Sequence, residues 1–203
     1  MMADYGKSKK YDKNFVAQNL MGPNVLILLE ELLERVPLKR GMRVLDLGCG
    51  CALSSIFLAK EFDVQVFAVD LWIDATDNYK RLQQMHVDDL VIPIHADAHQ
   101  LPFADEYFDA VISIDAYQYF GYKDDYYDKY LRPILQKDAW VAISIPGMKY
   151  EVHKNVPDEM KPFWPEEALK TWHAVYWWKE MFQGKLKDFE VREMTCFDQA
   201  WGD

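Results

Sequence analysis

Residues 44–52, Val-Leu-Asp-Leu-Gly-Cys-Gly-Cys-Ala, put a carboxylate, Asp46, two positions before the first of two glycines, Gly48 and Gly50. An apolar run that enters a glycine turn and then opens a helix is a ligand cradle. Glycine allows a sharp turn and a close backbone approach. The first N–H groups of the helix have no partner within it. A second acid, Asp70, follows Gly50 by 20 residues and ends the apolar run Val64–Val69. A nucleotide-binding α/β unit places a carboxylate for ribose hydroxyls at that point. The dinucleotide fingerprint G-x-G-x-x-G would need glycine where Leu53 stands. Asp46 also suits a cationic ligand better than a diphosphate, because like charges repel.

The elements that must hold these groups alternate. Arg43–Leu47, Val64–Asp70, Val91–His95, Phe108–Ile114 and Trp140–Ile145 read as strands, the fourth almost wholly apolar, as a strand buried on both faces should be. Helices are expected over Asn14–Met21, from Pro23 to Val36, and over Leu53–Glu61, Asp74–Val87 and Asp124–Leu135. A long helix, Glu166–Phe182 closed by Gly184, and a sixth strand, Phe189–Phe197, follow; Asp198–Trp201 begins another helix. The fold class is therefore α/β, a doubly wound, mostly parallel sheet with right-handed crossovers. Such sheets bind ligands outside the carboxyl ends of their strands. Asp46, Asp70, Asp97 and Asp115 each lie at or just past such an end.

The D-x-G-x-G run, the acid ending the second strand and the Asp97-Ala98 pair resemble a class I S-adenosylmethionine-dependent methyltransferase, in the small-molecule branch that includes methyltransferase type 11 and quinone-biosynthesis enzymes. The resemblance covers residues 24 to 146 and departs at Ala52, where many relatives carry a third glycine. It implies a Rossmann-like sheet of seven strands, of which six are read here, so the last is expected to be lacking, through a missing C-terminal portion or a different pairing of the sixth. It implies S-adenosyl-L-methionine as cofactor and a small-molecule methyl acceptor. Asp46, Gly48 and Gly50 would hold its amino-acid end and Asp70 its ribose diol. Leu71 would lie on the adenine, Asp97 and the Ala98 backbone at the adenine edge, and Asp115 near the methyl group. Trp72 is a weaker adenine platform, since aromatic residues more often fill the core.

The whole chain is expected to be one domain, 1–203, with a mobile tail over 1–12 and a lid or substrate segment over 147–183. In an alternative reading the first residues fold over the cofactor, anchored by Tyr11 and Phe15. Trp164, Trp172, Tyr176, Trp177 and Trp178 cluster in the lid, where an apolar pocket or simple helix packing would use them. Tyr117 after the fourth strand and His153 in the lid are weak catalytic candidates; core packing and an ordinary surface histidine are the bland alternatives.

A net charge of −10 argues against a nucleic-acid binder. The three cysteines, Cys49, Cys51 and Cys196, form no disulfide framework and no zinc spacing, so no metal is expected. No signal peptide or membrane-length apolar run is seen, which fits a reducing cytoplasm. A partner chain could cover the sheet edge, as in a homo-oligomer. Two rivals stand beside methyl transfer: a non-catalytic S-adenosylmethionine-binding protein, and a nicotinamide (NAD)-dependent oxidoreductase lacking a convincing Y-x-x-x-K pair.

Overall fold

A computed structural model describes residues 6–152, 155–159, 161–164 and 168–185. Its centre is β1 (Arg43–Leu47), flanked by β2 (Gln65–Asp70) and β4 (Phe108–Ile114). Outside these lie β3 (Val91–His95) and β5 (Leu135–Ser144), giving the order β3-β2-β1-β4-β5 with every pairing parallel. Strand order reverses between β1 and β4, which is where an open α/β sheet leaves a crevice at its carboxyl edge.

Alternation along the strands divides the core in two. Val44, Val66, Ala110 and Ile112 face α2 (Val25–Leu32) and α3 (Leu53–Phe62), which contribute Leu29, Ile56 and Phe57. Leu45, Leu47, Phe67, Val69 and Val111 face the other way, into an aromatic layer with Tyr117, Tyr126, Tyr127 and Trp178. Asp46 shares the parity of Val44, so it is carried to the α3 face by the two-residue period of the strand.

From residue 6 the described chain ahead of the sheet is docked. Residues 1–12 are expected as a tail, yet within it Ser8–Lys10 forms a 3-10 turn. The Lys7 and Ser8 amides donate to Glu30 at 2.9 and 2.7 Å, Lys10 pairs with Glu61, and Tyr11 packs on Phe57. Tyr11 and Phe15 are both buried in the α2–α3 core. Next comes α1 (Lys13–Asn19), capped by Asp12. Pro23 precedes α2 rather than occupying its first turn. Asn24 is the cap, its Oδ1 accepting from the Leu26 and Ile27 amides.

Three other elements differ from their sequence patterns. The helix expected over Asp124–Leu135 is a π-helical turn, Tyr127–Leu131, followed by a 3-10 turn, Arg132–Ile134. Pro133 lacks an N–H and its ring clashes with the preceding turn, so a regular helix cannot pass it. β5 starts at Leu135, earlier than expected, because Phe108 pairs with Leu135 before the register slips to Ala110 opposite Trp140. The expected long helix is broken into α5 (Ala168–Thr171) and α6 (Val175–Lys185), with Gly184 inside the second. The break is a tertiary effect. Met148 bridges Ala174 in parallel, its amide donating to the His173 carbonyl, and Glu151 Oε1 accepts the Ala174 amide at 2.5 Å. Between β3 and β4 the described chain carries no helix. α4 (Ala75–Gln84) covers β3 through Leu82. No helix of the described residues is long and apolar enough to cross a membrane. The expected sixth strand and the helix after it lie outside the described residues.

Gly121 tests the aromatic layer. A Cβ there would lie 2.0–2.4 Å from the ring of Tyr117, which Tyr126, Trp178 and Phe182 hold in place. Gly121→Ala should destabilise the protein by about 1–3 kcal/mol in urea unfolding. Tyr117→Leu in the same chain should recover part of that loss.

Candidate functional site

The turn after β1 owes its shape to two glycines with left-handed backbone, Gly48 (φ 76°) and Gly50 (φ 52°). At Gly48 a side chain is excluded twice over, since a Cβ would also lie 2.3 Å from Ala116 Cβ. Ala52, where the family pattern has a third glycine, takes the same left-handed conformation (φ 61°) and is fully buried. The turn keeps its geometry there at a cost of roughly 1–2 kcal/mol.

Hydrogen bonds lash this turn to β2. The Gly48 and Cys49 amides both donate to the Val69 carbonyl, at 2.8 and 3.0 Å. The Gly50 amide donates to Asp70 Oδ2 at 2.8 Å. Asp70 Oδ1 accepts from the Trp72 and Ile73 amides at 2.8 and 3.0 Å. A carboxylate has about four acceptor positions. These three bonds leave Oδ2 with one.

Asp46 is placed differently. It is 1% exposed, and Oδ2 accepts from Ser54 Oγ at 2.6 Å and Ser55 Oγ at 2.5 Å. Burial pushes its carboxyl up to about 6, against the lowering effect of the two hydroxyls, and the charge of Asp70 raises it further. Expected as a direct contact for a cationic ligand, Asp46 instead sits beneath the turn and ties it to the first residues of α3.

The remaining acids line up along the strand ends. At β3, Asp97 Oδ1 accepts the His99 amide at 2.8 Å and lies 2.8 Å from His99 Nδ1. These bonds hold its carboxyl below the usual range. Ala98 is buried, and its carbonyl accepts the Tyr126 hydroxyl at 3.0 Å. At β4, Asp115 has a left-handed backbone (φ 54°), and its amide donates to the Ser144 carbonyl. Gln118 Nε2 donates to Asp115 Oδ1 at 3.2 Å. Burial raises the Asp115 carboxyl above its ordinary value. Because the sheet order is β3-β2-β1-β4, Asp97, Asp70, the glycine turn and Asp115 follow one another along a single edge.

The rim of this edge is apolar. Leu71, Trp72, Tyr119 and Met21 are each about half exposed or more, and the Trp72 and Tyr119 rings are 5.8 Å apart. Tyr117, a catalytic candidate on sequence, is fully buried in the aromatic layer, its hydroxyl without a hydrogen-bond partner and its ionisation opposed by burial. The apolar ring wins over the hydroxyl here, and the group does not face the edge. His153 lies outside the described residues. His173 is buried at the α5–α6 break, its ring stacked on Trp177 at 3.5 Å.

Sequence reasoning missed Ser54 and Ser55, the buried Asn78, which donates to the Gly50 carbonyl at 2.9 Å, and Gln118. A signal existed for the serines. They are the two hydroxyls in an otherwise apolar stretch, Leu53–Leu58, directly after the turn.

Residues 44–136 match the model of a methyltransferase domain. The chain is 33% identical over 90 residues to 27-O-demethylrifamycin SV methyltransferase of Amycolatopsis mediterranei, covering 44% of this chain and 33% of that protein. It is 34% identical over 65 residues to phosphoethanolamine N-methyltransferase 1 of Arabidopsis thaliana, covering 32% of this chain and 13% of that one. The chain thus spans a third or less of these relatives. Among solved structures, phosphoethanolamine N-methyltransferase 2 of Haemonchus contortus, in complex with S-adenosyl-L-methionine, superposes with a TM-score of 0.70 at 23% identity. That match covers 85% of this chain and 39% of that one.

The buried carboxyl beneath the turn makes stability respond to pH. Asp46 takes up a proton more readily folded than unfolded, so its contribution is fully present below about pH 4 and is lost as pH rises through about 6. Asp46→Asn should abolish that loss. The unfolding free energy of the variant minus that of the parent should rise between about pH 4 and 6, by up to about 3 kcal/mol. Urea unfolding across this range measures it; a flat difference would show that Asp46 does not titrate there.

Proposed function

We propose that this chain, whose residues 44–136 match the model of a methyltransferase domain, binds S-adenosyl-L-methionine along the carboxyl edge of β3-β2-β1-β4 and transfers a methyl group to a small-molecule acceptor. The observation that carries this reading is the line of groups on that edge. It runs from Asp97 through Asp70 and the two left-handed glycines to Asp115. The donor set fits a nucleoside joined to a cationic amino acid. Asp70 Oδ2 retains an acceptor position for a ribose hydroxyl. At Gly48 a side chain is excluded by Ala116, and left-handed backbone at Gly48 and Gly50 brings the main chain of the turn to the edge.

In this reading Gly48 and Gly50 hold the amino-acid end and Asp70 the ribose. Leu71 covers the adenine, and Asp97 with the Ala98 backbone reads its edge. Asp115 lies toward the sulfonium, where a carboxylate favours positive charge. Asp46 acts through Ser54 and Ser55 as a positioning residue for the turn. S-adenosylmethionine supplies a methyl group already activated on a sulfonium. The protein's share is then alignment of the reactants and exclusion of water. The acceptor is a small molecule, and the segment 147–183, with Trp177 and Trp178 in it, selects it as part of one domain. The free thiols of Cys49 and Cys51 suit a reducing, cytoplasmic compartment.

Calorimetry with S-adenosylmethionine and, separately, NAD tests the cofactor. Binding of the first alone is expected. Asp70→Ala should weaken it about 10- to 100-fold, as loss of charge-assisted hydrogen bonds predicts. Transfer of labelled methyl into a metabolite extract tests catalysis. Binding without transfer would leave a non-catalytic binder, and no binding at millimolar concentration would remove the proposal.

A further inference from the structure

One hydrogen-bonded chain leaves the glycine turn and ends on the N-terminal segment. Asn78, 1% exposed in the middle of α4, donates from Nδ2 to the Gly50 carbonyl at 2.9 Å. Its Oδ1 accepts from Arg81 Nη1 at 3.0 Å, one helical turn on. Arg81 Nε then donates to Asn19 Oδ1 at 2.7 Å, and Asn19 Nδ2 donates to the Phe15 carbonyl at 2.8 Å. Donors and acceptors alternate without conflict along the whole path, which fixes the orientation of both amides. Asn19 is the last residue of α1, and directly after it Leu20 turns extended.

Two residues directly after that turn, Met21 and Gly22, lie against the candidate site. Met21 rests over Gly50, its Sδ 2.9 Å from where a Cβ would stand. Gly22 lies against Asp115, whose Oδ2 would be 2.5 Å from an added Cβ. Pro23 is buried and leads into the Asn24 cap of α2. The strap 20–23 therefore touches the edge at two of the groups proposed to face the cofactor. It is anchored at one end by the cap and at the other by Arg81.

We infer that Arg81 is a positioning residue for the cofactor. By joining Asn78 to Asn19 it latches the strap 20–23 over the glycine turn and slows the ligand's departure. A cationic fork bonding two neutral amides is suited to this. It spans two separate elements, and its partners there are neutral amides, so among the described residues its release strands no buried counter-charge. The rest of the N-terminal segment has its own anchors at Glu30, Glu61 and Phe57, so loss of Arg81 frees the strap without undocking α1. The role assigned to the strap rests on the proposed cofactor; the latch itself does not.

Two measurements separate these. In amide hydrogen exchange of the ligand-free full chain, Arg81→Ala and Asn19→Ala should each accelerate exchange over residues 16–23. Exchange around Leu82 and Ile56 should stay at the parent rate. Unchanged strap exchange overturns the latch whatever any ligand does. In stopped-flow fluorescence with S-adenosylhomocysteine, each variant should speed dissociation on the order of tenfold, with association little altered. The double variant should be no faster than either single one, because both break one path. Arg81→Lys, a single donor head without the fork, should fall between parent and alanine. Dissociation at the parent rate in all variants overturns the role. Failure of the parent itself to bind removes the functional reading, and with it the role, while the exchange result still decides the latch.

Discussion

Asp70 is the joint on which the site depends. One carboxylate receives the Gly50 amide from the turn after β1 and the Trp72 and Ile73 amides from the loop after β2. Two segments far apart in sequence thereby share one acceptor. A buried acceptor of this kind fixes backbone more firmly than a neutral one, because charge-assisted bonds are stronger and lose less to water. The turn is held from below as well, by Asp46 on Ser54 and Ser55, and from the side by Asn78 on the Gly50 carbonyl. A backbone with left-handed residues at 48, 50 and 52 would otherwise relax.

The sheet supplies the frame and its two faces do different work. The α2–α3 face is mainly aliphatic, its buried rings being Tyr11, Phe15 and Phe57, and it delivers Asp46 and the serines beneath the turn. The opposite face is a continuous aromatic layer in which Phe67 and Phe108 meet each other, and both Phe103 and Tyr107, edge to face, as do Tyr117 and Tyr126. Edge-to-face contacts put the positive rim of one ring on the negative face of the next. Trp178 of α6 joins that layer beside Tyr117. α6 is thus continuous with the core, and substitutions in it will be felt by packing.

Much of the frame was legible in residue order. β1, β3 and β4 begin and end where the apolar runs do, and the alternation of strands with helices gave the parallel sheet. For β1 and β4 periodicity worked because a strand buried on both faces has no choice of residue type. It failed where backbone partners came from elsewhere. The break between α5 and α6 follows from Met148 and Glu151 taking up backbone groups at His173 and Ala174, some 25 residues away. The described part of the tail, residues 6–12, is docked because Glu30 and Glu61 offer acceptors its own sequence does not announce.

By itself the sequence determined which groups stand at the strand ends, since Gly48, Gly50, Asp70, Asp97 and Asp115 follow directly from where apolar runs stop. Only the tertiary structure decided what each group does there. Asp46 and Asp70 are both aspartates at the end of a strand. Yet one is sealed under two hydroxyls, while the other takes three backbone amides and keeps one acceptor position. Tyr117 is turned into the core while Tyr119, two residues on, stands at the rim. The reason is geometric. Spacing along a chain sets which element carries a residue, but the direction of its side chain, and hence its solvation and its partners, is set by what the other elements place against it.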